Sequence, residues 1–184
     1  MHVDTATGLL ADARQIASPN FDARPKGATP EVIVVHGISL PPREFGGSWI
    51  EQLFTNVLPA DAHPYFKEIA PLKVSSHFLI RRSGELAQFV SCTQRAWHAG
   101  VSNYRGRERV NDFSIGVELE GADDVPYEPA QYRVLAELIA ALCKAYPTLS
   151  HDRLVGHGDI APGRKTDPGN AFDWPRLHAL LKVV

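Results

Sequence analysis

Four consecutive β-branched residues, Val32-Ile-Val-Val35, constrain the fold of this 184-residue chain more than any other stretch. Branching at Cβ stiffens the side chain and favours a strand. A continuous apolar run, as opposed to an alternating one, suits a strand covered on both faces. The chain must therefore supply helices for both covers. Ser48 to Val57 places Trp49, Ile50, Leu53, Phe54 and Val57 at helical spacing behind Ser48 as a possible N-cap. Pro129 opens a second helix whose stripe is Tyr132, Leu135, Leu138, Ile139 and Leu142, and Pro147 stops it. Asp173 to Leu181 reads as a closing helix. Ser76 to Ile80 and Leu86 to Val90 predict a hairpin turning at Gly84, and Ser114 to Glu120 predicts another strand. Leu154-Val155 is a short apolar step, while Ser18 to Pro30 reads as an irregular lead-in. Strands and helices are interspersed, so the expected class is α/β (α+β), a central mixed β-sheet flanked by helices. The length suits one domain over residues 1–184.

Charge narrows the function. The formal net charge is −2, and the densest basic stretch, Arg105-Gly-Arg-Glu-Arg109, is broken by Gly106 and Glu108. Nucleic acid is therefore an unexpected partner, since phosphate binding needs concentrated Lys and Arg. No apolar run approaches the ~20 residues that span a bilayer, and the N-terminal residues lack the pattern of a signal peptide. A cytoplasmic protein without a membrane partner is expected. Cys92 and Cys143 are two distant cysteines, not a disulfide framework, and Cys143 falls in an apolar helical stripe.

The segment Gly156 to Gly169 carries the densest chemistry, with His157, Asp159, Arg164, Lys165 and Asp167 among prolines and glycines. Polar groups so crowded are costly to bury unless they serve each other or a metal. His36, at the end of the apolar run, is a second candidate ligand. His36, His157 and Asp167 would offer two nitrogens and one oxygen, a set that zinc accepts while keeping a fourth position for water. Taken singly, each has a blander reading: a histidine after a strand is often a surface or capping residue, and Asp-Pro-Gly is often a turn. In Ser114 to Glu120, alternation puts Ile115, Val117 and Leu119 on one face and Gly116, Glu118 and Glu120 on the other. Glu118 is then a candidate general base, with Lys165 to stabilise an oxyanion. A solvated, charged strand face is the competing reading. Trp97 is either a stacking platform or core.

The stretches Val34-Val-His-Gly-Ile-Ser-Leu-Pro-Pro42, Glu44-Phe-Gly-Gly47, Arg95-Ala-Trp-His-Ala-Gly100, Asn111 to Gly121 and Gly156 to Gly169 resemble, in order, the type 2 amidases. That family shares its fold with peptidoglycan recognition proteins. The resemblance implies a zinc-dependent N-acetylmuramoyl-L-alanine amidase that hydrolyses the lactyl–L-Ala amide of 1,6-anhydro-muropeptides in cytoplasmic peptidoglycan recycling. It implies one zinc per chain on His36, His157 and Asp167, with Glu118 and Lys165 as the catalytic pair. Trp97, Arg109, Arg164 and Lys73 fall where the family meets sugar and stem peptide. An anhydro-muropeptide is the expected partner, and a monomer the expected state. The alternatives are a non-catalytic peptidoglycan-binding module and a cell-wall amidase of broader specificity. Three positions depart from the family: Gly37 for asparagine, Gly158 for cysteine and Lys73 for arginine. His77 is expected either beside the cleft or as a satisfied core histidine, and His2, His63, His151 and His178 on the surface.

Overall fold

In the computed structural model, which describes residues 1–184, Val32–Ile38 lies inside a six-stranded sheet. Its neighbours are Leu154–Gly156 on one side and Ser114–Glu120 on the other, both parallel to it. Phe78–Ile80 pairs parallel with Ser114–Glu120, Leu86–Gln88 pairs antiparallel with Phe78–Ile80, and Arg14–Gln15 closes the edge. The expected mixed sheet is thus found, with the hairpin turning at Gly84, whose φ of +89° favours glycine. The short Leu154-Val155 step is an edge strand because its parallel partner supplies the ladder bonds.

Period-2 alternation divides the sheet into two unlike faces. Ile33, Val35, Ile115, Val117 and Leu119 pack with the long helix Pro129–Ala145 in the main apolar cluster. Each such side chain, fully buried, contributes roughly 1.5–3 kcal/mol. Pro129 stands in the first turn, and the Gln131 side chain accepts from the Glu128 N–H at the helix start (3.0 Å). The opposite face carries Val32, Val34, His36, Gly116, Glu118 and Glu120. It is covered by the helices Trp49–Phe54 and Phe66–Ile69 and by the segment around His98.

Several local expectations need correction. Ser48 stands at the N-cap of Trp49–Phe54, but its side chain caps no backbone N–H; it accepts from the Gln52 side chain instead (2.8 Å). The lead-in contains Phe21–Ala23, paired antiparallel with Gln94–Ala96. The loop after His157 begins with a single helical turn, His157–Ile160. His63 is half-buried against Phe66, whereas His2, His151 and His178 are exposed as expected. No helix is long and apolar enough to cross a membrane.

Candidate metal centre and active site

Three parallel strands deliver the site at their carboxyl ends, where open α/β sheets present ligands. His36 lies near the end of Val32–Ile38, and Glu118 is its direct partner in the adjacent strand. Directly paired residues point to the same face, so the ladder itself sets Glu118 beside His36. His157 follows Gly156, which pairs with Val35 on the other side. Asp167 returns through the loop, whose end is tied by the Gly158 N–H donating to the Asp167 carbonyl (3.0 Å).

The donor atoms converge closely. Nδ1 of His36 is 3.0 Å from Nδ1 of His157 and 3.2 Å from Oδ2 of Asp167, and Nδ1 of His157 is 3.1 Å from the same oxygen. Ligands held about 2.0–2.1 Å from a tetrahedral zinc stand roughly 3.3 Å apart, so this triangle fits one. The outer nitrogens fix the tautomers that a metal needs. Nε2 of His157 meets the Ala99 carbonyl at 3.1 Å and must carry the proton, leaving Nδ1 bare. Nε2 of His36 lies 2.9 Å from Nδ1 of His98, whose Nε2 lies 3.0 Å from the Ser114 hydroxyl. When His36 gives Nδ1 to a metal, its Nε2–H donates to His98 and His98 donates to Ser114. Bare nitrogens facing one another and a carboxylate repel unless a cation lies between them.

Burial tunes the same groups. Desolvation pushes His36 down to about 4, so its imidazole is neutral near pH 7 and free to ligate. Desolvation, reinforced by the Asp167 carboxylate and opposed by Lys165, lifts Glu118 well above the ordinary carboxylate range. For Asp167, desolvation pulls upward, but the contacts with His157 and His36 outweigh it and hold the carboxyl low. Glu118 is thus the proton-affine member of the site, as a general base requires.

Neither carboxylate of the Glu118 strand is solvated: Glu118 is 8% and Glu120 3% exposed. They are relieved separately. Glu120 accepts from Arg81 (3.0 Å) and from the backbone N–H of Gly46 and Arg82, so it belongs to a structural ion pair. The space beside Gly116 holds the His98 ring; a Cβ there would come within 2.5 Å of His98 Cγ. His77 is a satisfied core histidine: its Nδ1 accepts from Gly116 N–H (3.0 Å) and Nε2 meets the Gln94 carbonyl (3.1 Å), bracing the strand behind Glu118.

A cleft of about 480 Å³ is bordered by the three donors together with Glu118, Lys165 and Trp97. Trp97 is half-buried there and donates from its indole to Asp22 (3.2 Å). Lys73 is exposed between Leu72 and Val74, which border the cleft, but does not border it itself. Arg109 and Arg164 border a separate cavity of about 550 Å³. One Arg164 nitrogen donates to the carbonyls of Ala99 (2.6 Å) and Val101 (2.7 Å), holding the segment that fixes His157. His98, marked in the sequence only as Trp97's neighbour in the Arg95 to Gly100 stretch, thus supports His36 from behind, and Gly116 on the Glu118 face makes the room for its ring.

A family model described as N-acetylmuramoyl-L-alanine amidase matches residues 26–170. The chain belongs to the N-acetylmuramoyl-L-alanine amidase family. That span contains every donor of the metal triangle as well as Glu118 and Lys165. Among amidases of known sequence, it is 58% identical over 176 residues to the 1,6-anhydro-N-acetylmuramyl-L-alanine amidase AmpD of Salmonella typhimurium strain SL1344, covering 96% of this chain and 94% of that one. The crystal structure of a Se-Met AmpD derivative superposes with a TM-score of 0.95 at 55% identity, covering 98% and 99% of the two chains. A more distant amidase, AmiD from E. coli in complex with its substrate anhydro-N-acetylmuramic acid-L-Ala-D-gamma-Glu-L-Lys, superposes with a TM-score of 0.59 at 31% identity. That match covers 85% of this chain and 60% of AmiD.

Proposed function

We propose that this amidase hydrolyses the lactyl–L-alanine amide of 1,6-anhydro-muropeptides with one zinc ion held by His36, His157 and Asp167, as part of cytoplasmic peptidoglycan recycling. The near-full-length likeness to 1,6-anhydro-N-acetylmuramyl-L-alanine amidases supports the substrate class. The substrate bound to AmiD, an anhydro sugar joined to a peptide, has the same scissile linkage. The observation that carries the chemistry is the donor triangle with 3.0–3.2 Å edges beside Glu118.

A zinc ion at such a triad supplies Lewis acidity and lowers the pKa of a bound water from about 15.7 to roughly 7. Glu118 takes the proton of the attacking water, and the oxygen adds to the amide carbonyl carbon. Lys165 offers its ammonium to the oxyanion that develops there. Glu118 then returns the proton to the alanine nitrogen as the C–N bond breaks, leaving a lactyl carboxylate and a free peptide amine. Trp97 offers the cleft a flat apolar wall. Arg109 and Arg164 reach acidic groups of the stem peptide where it extends into the separate cavity they line, Arg164 with a guanidinium nitrogen not bound to the Ala99 and Val101 carbonyls, and Lys73 adds a point charge without a bidentate fork. Residues 1–184 work as one catalytic unit, and a monomer suffices because every group named lies on one chain.

Mass spectrometry of anhydro-muropeptide digests tests this reading. The anhydro sugar and a peptide beginning with free L-alanine are expected, and their loss on chelation, with recovery on adding zinc. Undiminished cleavage by protein shown to be metal-free would overturn the zinc assignment. A binding module would release nothing. Cleavage of intact sacculi at a comparable rate would favour the broader wall amidase.

A further inference from the structure

Gly37, next to the ligand His36 and in place of the asparagine its family carries, leaves no room for a side chain as this chain packs. Its φ lies outside the left-handed region, so no backbone demand selects it. A Cβ at this position would meet the Tyr127 hydroxyl at 2.3 Å. Gly121 repeats the pattern at the end of the Glu118 strand: its φ is also unexceptional, and a Cβ there would meet Tyr127 Cε1 at 2.3 Å. Two glycines without a dihedral reason thus flank one tyrosine side chain. Tyr127 is 4% exposed, and its hydroxyl donates to the Pro168 carbonyl at 2.9 Å.

Pro168 follows the ligand Asp167. Proline has no N–H, so the backbone on that side of the ligand offers only its carbonyl as an anchor. Tyr127 occupies that anchor. The Asp167 carbonyl, one peptide nearer the ligand, is already tied to Gly158 N–H. The backbone leaving the ligand is therefore held twice, once from within its own loop through Gly158 and once through Tyr127, from the segment between the Glu118 strand and the long helix. Phe172 packs edge-on against the Tyr127 ring at 5.4 Å and keeps it over the glycines.

We infer that Tyr127 is a positioning residue for the metal site, its hydroxyl passing over Gly37 to hold the Asp167–Pro168 segment at the spacing that coordination needs. The inference rests on the zinc reading above. It makes Gly37 and Tyr127 a matched pair, with the missing side chain of one being the space of the other. Partners that orient a metal ligand are worth about 10–100-fold in metal affinity. One hydrogen bond to a neighbouring carbonyl belongs at the lower end of that range.

The test measures zinc affinity of the metal-stripped, full-length protein by competition with a chromophoric chelator, and records the visible spectrum of the cobalt-substituted protein. Tyr127→Phe keeps the ring and removes the hydroxyl. It should weaken zinc binding about 10-fold and alter the cobalt spectrum while the melting temperature falls only slightly. Gly37→Ala pushes the hydroxyl aside and should weaken zinc similarly. In the double variant Gly37→Ala/Tyr127→Phe the clash is gone, because the nearest remaining ring atom, Cζ, is 3.6 Å from the added Cβ. Its affinity should match Tyr127→Phe alone. Zinc affinity and a cobalt spectrum in Tyr127→Phe equal to the parent's would overturn the inference, as would losses that multiply in the double variant. If the parent itself binds no zinc, the zinc reading fails and this inference falls with it. If the parent binds and Tyr127→Phe binds equally well, this inference alone fails.

Discussion

The site has two halves, built differently. His36 and Glu118 stand on neighbouring strands inside a seven-pair parallel ladder, so their spacing is a property of the sheet. Asp167 and Lys165 stand on an irregular loop whose spacing must be held by individual bonds. Some of those bonds lie within the loop, such as Gly158 N–H to the Asp167 carbonyl, and others come from the segment between the Glu118 strand and the long helix. Asp123 accepts from the Thr166 hydroxyl and, through its carbonyl, from Ala171 N–H (2.9 Å), and Tyr127 donates to Pro168. Ladder hydrogen bonds are shared along a cooperative element, whereas each loop tie stands nearly alone. Damage to the strand half should therefore appear in stability as well as function, and damage to the loop half mainly in metal affinity.

The largest effect should come from removing a donor in either half. His36→Ala and Asp167→Ala should each lose stoichiometric zinc on elemental analysis, and retention of full zinc in either would exclude that residue as a ligand. Next comes Glu118→Gln, which keeps the shape of the strand half. It should cut kcat by roughly 10²–10⁴-fold while zinc content is unchanged; full activity would remove Glu118 as the base. His98→Ala breaks the support behind His36 and should weaken zinc by about 10–100-fold. If chelator competition gives parental affinity, the His98–Ser114 chain is not what orients His36.

Two glycines sharpen the contrast further. Gly116→Ala, on the strand, drives a Cβ to 2.5 Å of His98 Cγ. Overpacking of this kind costs roughly 1–3 kcal/mol, readable by denaturant titration. Gly158→Ala, on the loop side, meets nothing nearer than the Lys165 carbonyl at 3.3 Å and should stay within about 0.5 kcal/mol of the parent. Equal costs would erase the distinction between the halves.

The smallest effect is one of pH. Burial lifts Glu118 well above its ordinary value of 4.5, so metal-free folded protein keeps that proton where the unfolded chain has ionised. The unfolded state then binds fewer protons, and this contribution to stability is lost as pH rises above about 4.5. Glutamine does not titrate. Metal-free Glu118→Gln should therefore gain stability relative to the parent between about pH 4 and about pH 7. A constant difference across that range would show that Glu118 ionises normally.

Much of the strand half was legible in the sequence. The Val32 to Val35 run announced a strand covered on both faces, and alternation from Ser114 to Glu120 placed Glu118 opposite the apolar core, because a period of two is a local property of the chain. What alternation could not supply was burial. A charged strand face in water and a carboxylate sealed beside imidazoles have the same sequence pattern, and only the cover of that face separates them. The loop half was legible by its residue types alone. Nothing near Asp123 or Tyr127 marks them as partners of Thr166 and Pro168, since those contacts join segments some forty residues apart.

By itself the sequence determined the class of fold and the inventory of groups able to bind a divalent ion, since backbone preference and side-chain chemistry are carried residue by residue. Only the tertiary structure decided which nitrogen of each histidine faces inward, that Glu120 answers to Arg81 and not to a metal, and that Gly37 yields its space to Tyr127. Each of these depends on distances between remote segments, which packing of the whole chain sets.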